Sequence, residues 1–149
     1  MEQTEMIFDV SRDPYNHMAR LLFGRWKPFI LMAMVFDEGK TNFSDFIKQL
    51  PISHKVLAEN LKAMEADGLI TRTVVPDTPP RTEYRLTDAG QSMVPLLRAV
   101  YDAGWRDMKA MGMPIDALGE MWHGYRERDE RLLSVRYGQE KRPADREGK

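Results

Sequence analysis

The chain has 149 residues, 42% of them hydrophobic and 30% charged, and its 22 Lys and Arg against 23 Asp and Glu give a formal charge of −1. That length suits one domain with a real core, and the near-neutral balance excludes a polycation, so any contact with nucleic acid has to come from local placement of basic groups. Cysteine is absent, which excludes disulfides, thiol redox sensing and cysteine-based metal or nucleophile sites and suits a cytoplasmic protein. No run approaches the roughly 20 apolar residues of a membrane span. The opening MEQTEMIFDVSRD has no basic segment followed by an apolar one, so secretion is not expected. The eleven methionines are mostly core filler, since Met adapts to irregular gaps.

After a turn at Asp13-Pro14, DPYNHMARLLF places Met18, Leu21 and Leu22 at helical spacing. In GRWKPFILMAMVFDEG, Pro28 is tolerable only in a first turn, so a helix starts near residues 25–28 and runs through Ile30, Leu31, Met34 and Val35 until Gly39 stops it. It is apolar nearly all round and should be central. In TNFSDFIKQLP, Asn42 can cap a helix whose stripe is Phe43, Phe46, Ile47 and Leu50, with Asp45 three residues on as in a capping box. Ser53 caps the next helix, HKVLAENLKAMEADG. Its inward positions are Leu57, Leu61 and Met64, with Lys55, Glu59 and Lys62 opposite and His54 and Asn60 on the flanks.

Two amphipathic helices joined by so short a turn predict a helix-turn-helix. The β-prone LITRTVV follows, then a tip stiffened by Pro76, Pro79 and Pro80, then RTEYRL, where Thr82, Tyr84 and Leu86 alternate against Glu83 and Arg85. The expected fold is mainly α with a small β hairpin: a winged helix-turn-helix carrying a C-terminal dimerisation helix. That last helix begins after a cap at Thr87, with Met93, Leu97, Val100, Gly104, Met108 and Met111 recurring every three or four residues. Pro95 should kink it or delay its start, and a second copy is the simplest cover for its apolar face. The expected organisation is a helical arm over 1–24, the winged domain over 25–90, the dimerisation helix over 91–112, a further helix over 113–138 and a charged, disordered tail over 139–149.

The segments GRWKPFIL, NFSDFIKQLPISHKVLAENLKAMEADGLITR, PPRTEYRLTDAG and LLRAVYDAG together resemble the HxlR-type winged-helix transcriptional regulators, a branch near the MarR proteins. The likeness runs in order over about residues 17 to 110. It implies a homodimer on pseudo-palindromic double-stranded DNA, with the recognition helix (53–67) in the major groove and the wing (72–85) on the backbone or minor groove. Many relatives carry a cysteine just ahead of the first core helix. This chain has Asp13 and Pro14 there, so thiol sensing does not carry over.

The DNA-contacting set expected on these grounds is Asn42, Ser44, Ser53, His54, Lys55, Glu59, Asn60, Arg81 and Thr82. Ser53 can donate to a phosphate beside the free N–H groups of the first turn. His54 and Lys55 reach bases or phosphates, Asn60 suits an adenine edge, and Glu59 repels phosphate but accepts from a cytosine amino group. Arg81 leaves the wing tip, and the prolines reduce the entropy lost in placing it. The plainer alternatives are a cap for Ser53, a solvated face for the lysines and strand ends for the prolines.

For a small apolar or aromatic effector the candidate lining is Trp26, Phe29, Trp105, Met108 and Trp122, a set that reads first as plain core. No enzyme motif is present: His17, His54 and His123 lack metal-ligand spacing, and neither GxSxG nor a phosphate-cradling glycine loop occurs, so no catalytic residue, metal or cofactor is expected. The rivals to a DNA-binding regulator are a winged helix used as a protein-interaction module, suggested by the near-neutral charge and Glu59, and a ligand-binding helical protein.

Overall fold

The computed structural model describes residues 9–116. They divide between Leu97 and Arg98 into two compact units. In the first, Asp13 caps α1 (Pro14–Leu22) by accepting from the Asn16 N–H at 2.9 Å, with Pro14 in the first turn, where its missing N–H costs nothing. This segment, expected as an arm, supplies two core residues, Leu21 and Leu22. Arg20 on the same helix reaches Asp67 at 3.3 Å.

The central helix α2 (Lys27–Phe36) starts where Pro28 required. Ile30 to Val35 are all at most 6% exposed, as an all-round apolar helix must be. The chain then turns through left-handed backbone at Glu38 and Gly39, with φ of 66° and 83°. The Gly39 N–H closes the helix on the Met34 carbonyl at 2.6 Å.

The helix-turn-helix consists of α3 (Phe43–Gln49) and α4 (His54–Ala66). Asn42 accepts from the Asp45 N–H at 2.9 Å and Ser53 from the Val56 N–H at 3.2 Å, so both expected caps form. Ile52 is buried in the turn between them, fixing the angle at which α4 leaves. Leu57, Leu61 and Met64 face inward at 0–1% exposure. In α3 the stripe is narrower than its spacing suggested, with Phe46 and Leu50 buried and Phe43 and Ile47 half-buried.

The β structure is more than the expected hairpin. Strands β2 (Ile70–Val75) and β3 (Arg81–Leu86) pair as anticipated, but a third strand, β1 (Lys40–Asn42), pairs antiparallel with β3 and makes it central, in the order β1-β3-β2. Lys40 lies opposite Arg85 and Asn42 opposite Glu83. A Lys-Thr-Asn run has no β-branched apolar alternation to signal a strand; pairing with a tertiary neighbour creates it. The Thr41 hydroxyl, buried on the inner face, donates to Asp37.

The return from the sheet is tightly clasped. The Thr87 N–H donates to the Leu69 carbonyl at 3.0 Å, and its hydroxyl donates to the Gly68 carbonyl at 2.5 Å while capping α5 (Asp88–Ser92). The expected single long helix is therefore two. After Met93 the chain starts again as α6 (Val94–Ala110), and Pro95 falls in its first turn, which is how the proline delays rather than kinks it.

In the second unit α6 continues to Ala110 and closes at Gly112, with φ of 67°, where the Met113 N–H reaches the Met108 carbonyl at 2.9 Å. Burial and the nearby Asp116 carboxylate push the Tyr101 hydroxyl up to about 12. Residues 113–116 are not helical, and the rest of the helix expected over 113–138 and the tail over 139–149 lie outside the described residues.

Candidate nucleic-acid interface

The surface of α4 is set by its own periodicity. With Leu57, Leu61 and Met64 committed to the core, about 100° per residue turns His54, Lys55, Glu59 and Lys62 outward, and all four are exposed. Ser53 and the first-turn N–H groups stand at the exposed end of this helix. His54 is steadied by stacking on Phe43 of α3, with ring centroids 5.8 Å apart and planes at 29°. Asn60 is placed differently from the rest. It is half-buried and its amide donates to the Val56 carbonyl at 2.8 Å, so one of its two N–H groups is already engaged within the helix. In α3, Ser44 donates to the Asn42 side chain at 2.8 Å, so these two form one cap at the helix start.

The strand period divides the wing residues between two faces. Arg72, Tyr84 and Thr82 share the inner face through the pairs Arg72–Tyr84 and Val74–Thr82. With Ala58, Lys62 and Glu65 of α4 and with Phe43 they line a cleft of about 450 Å³ between the recognition helix and the wing. Arg81, Glu83 and Arg85 lie on the other face. Arg81 pairs with Val75 at the last rung before the tip, and its guanidinium is 3.3 Å from the Asp77 carboxylate. The geometry thus brings Thr82 toward α4 and holds Arg81 at the apex, on the opposite side of the strand.

Two groups went unrecognised in the sequence. Arg72 and Lys62, which face each other's elements across the cleft, were not among the expected contacts; the alternation of β2 with Tyr84 was the available signal for Arg72. Glu83 is the other. Alternation places it away from Tyr84, and so exposed, yet it is 7% exposed. Two cations of the neighbouring rung cover it: Arg85 of its own strand at 2.8 Å and Lys40 of β1, Arg85's cross-strand partner, at 3.4 Å. Burial works to raise its carboxyl, but the hydrogen bonds and charges of Arg85 and Lys40 together outweigh that and leave it below its ordinary value.

A lowered folded-state value favours folding wherever the carboxylate is ionised. This contribution is whole above the ordinary value of 4.5 and is lost as pH falls through the lower folded value. The melting-temperature gap between the wild type and Glu83→Gln is accordingly expected to shrink between about pH 7 and about pH 3. A gap that stayed constant over that range would mean that the ionised form has no stabilising role.

The residues grouped as an effector lining are distributed over the chain. Trp26 and Phe29 pack together in the first unit with centroids 6.0 Å apart, and Arg25 lies 5.2 Å over the Trp26 ring. Trp105 and Met108 belong to the second unit, where Lys109 lies 5.3 Å over the Trp105 ring, and Trp122 is outside the described residues. No cluster of His, Asp and Glu among the described residues is arranged to hold a metal ion, and no helix among them is long and apolar enough to cross a membrane.

A helix-turn-helix whose second helix leads into a sheet hairpin, with the exposed face of that helix bordering the wing, defines a winged helix-turn-helix. The chain belongs to the HxlR-like helix-turn-helix family of transcriptional regulators, whose model matches residues 21–111. An uncharacterised HTH-type transcriptional regulator of Methanothermobacter thermautotrophicus is 39% identical over 82 residues, covering 54% of this chain and 61% of that protein, so the match spans less than two thirds of its length. YvaP of Bacillus subtilis, likewise an uncharacterised HTH-type transcriptional regulator, is 40% identical over 98 residues, covering 65% of this chain and 84% of YvaP. Among solved structures the redox regulator HypR in its reduced form is similar with a TM-score of 0.62 at 28% identity, over 67% of this chain and 98% of HypR. All three of these relatives are regulators.

Proposed function

We propose that the protein acts as a homodimer that binds pseudo-palindromic double-stranded DNA in a sequence-specific manner, with α4 in the major groove and the wing on the adjoining backbone or minor groove. The observation that carries this is the cleft: the exposed face of α4 and the wing residues Arg72 and Thr82 border one space, with a cation on each wall at Lys62 and Arg72. A duplex seated on α4 would run its backbone between the two elements, where those cations meet phosphates. Base reading falls to His54, Lys55 and Glu59, with Ser53 and the helix N-terminus on phosphate. The second copy is supported by α6, where Leu96 and Val100, one turn apart, are 39% and 45% exposed, and by Met111 just past its end, 68% exposed. Two such domains would address half-sites roughly 34 Å apart.

The test is selection of bound duplexes from a random pool, followed by affinity measurements against salt. The expected product is an inverted repeat of fixed spacing. Arg72→Ala is expected to leave the melting temperature unchanged and to reduce the log–log salt slope by about 0.9 for each of two dyad-related contacts. A pool with no enrichment, or binding indifferent to salt, would overturn the proposal and favour a protein-interaction module.

A further inference from the structure

We propose that Asp77 is a built-in competitor for the phosphate that Arg81 would otherwise meet, so that the free wing tip holds its own arginine and must exchange it on binding. This rests on the DNA-binding reading above. The local chain path makes the contact. The Val75–Arg81 rung closes the two strands, and the Asp77 N–H folds back onto the Val75 carbonyl at 2.8 Å. Pro76, Pro79 and Pro80 fix φ along the intervening loop, which limits the ways the tip can open. The Asp77 carboxylate is thereby held 3.3 Å from the Arg81 guanidinium, although the two side chains are 54% and 55% exposed.

The chemistry of the competition follows from the acceptors. Asp77 meets the guanidinium at Nε, one of the two N–H groups of its side-on fork, so a phosphate taking that fork has to displace the carboxylate. The two sheet cations beside Glu83 differ in this respect. Arg85 and Lys40 are held by Glu83, whose side chain is only 9% exposed, and such a pair resists separation because breaking it would strand a buried charge. The Asp77–Arg81 pair stands in water, where an ion pair is weak and opens readily. It is strong enough to tax binding and too weak to prevent it.

Releasing an exposed pair of this kind should tighten binding by roughly 1.5-fold to 5-fold per wing, multiplied over the two wings of a dimer. The experiment measures affinity of the full chain for the selected duplex by fluorescence anisotropy in four forms: wild type, Asp77→Asn, Arg81→Gln and the double variant. Both substituted positions are exposed, so unchanged melting temperatures should accompany the comparison. Asp77→Asn is expected to bind more tightly, Arg81→Gln more weakly, and Asp77→Asn to bring no gain when Arg81 is already glutamine. An equal gain in both backgrounds would overturn the proposal by making Asp77 a plain negative charge near DNA. A loss on Asp77→Asn would overturn it in the opposite sense, by making Asp77 a support that orients the arginine. Failure of the wild type itself to bind any selected duplex would remove the DNA reading and this inference with it, a result distinct from the other two.

Discussion

Phe46→Ala is expected to cost about 3–5 kcal/mol of stability, the range for emptying a buried aromatic site. Phe46 is fully buried in α3 and meets Tyr84 of the central strand edge-on, with centroids 6.1 Å apart and planes at 61°. Its ring is thus what the first helix of the helix-turn-helix packs onto the wing with. Truncation would leave a void between two elements that are each held by other contacts, so collapse into it should be incomplete. For a domain of this size the midpoint of thermal unfolding would fall by roughly 12 °C or more. Phe43 provides the internal comparison: it is half-buried and rests on His54, so Phe43→Ala should cost far less. Circular-dichroism melts of the two variants decide the matter, and equal losses would mean that burial is misassigned between them.

Gly90→Ala should be comparably damaging although it adds only a methyl group. A Cβ at Gly90 would lie 2.1 Å from the Leu69 carbonyl oxygen and 3.1 Å from a Leu86 methyl carbon. The first of these is backbone, pinned by the Thr87 N–H at 3.0 Å, so it cannot rotate aside as a side-chain tip would. Either α5 shifts or the clasp between Thr87 and Leu69 opens. Overpacking commonly costs about 1–3 kcal/mol, and an immovable neighbour puts this case at the upper end or beyond. A urea titration that found the alanine variant within about 0.5 kcal/mol of wild type would show that α5 is free to move.

The elements that were legible in the sequence are those whose signal is local. Asn42 and Ser53 are followed by N–H groups they can cap, Pro28 fixes a helix start, and the four-and-three spacing of Leu57, Leu61 and Met64 assigns the faces of α4 before any tertiary contact exists. What escaped depends on partners distant in the chain. Lys40–Asn42 become a strand because β3 is there to pair with, and Glu83 is buried because that pairing brings Lys40 beside it. Gly90 has no unusual backbone angle to mark it; its need for hydrogen arises from Leu69. The candidate site divides in the same way. His54, Lys55, Glu59 and Arg81 follow from helix period and loop chemistry, whereas the face of the sheet that carries Arg72, and the engagement of Asn60 with Val56, follow from packing.

The central position of β3 also orders the assembly of the domain. β2 and β3 are joined by a short loop and can zip soon after the chain collapses, whereas β1 must wait for Lys40 to find Arg85 with the whole helix-turn-helix looped out between them. The β1–β3 ladder is therefore expected to form late, closing the stretch of chain that carries α3 and α4. Weakening mutations in β1 should quicken unfolding while leaving the refolding rate almost untouched.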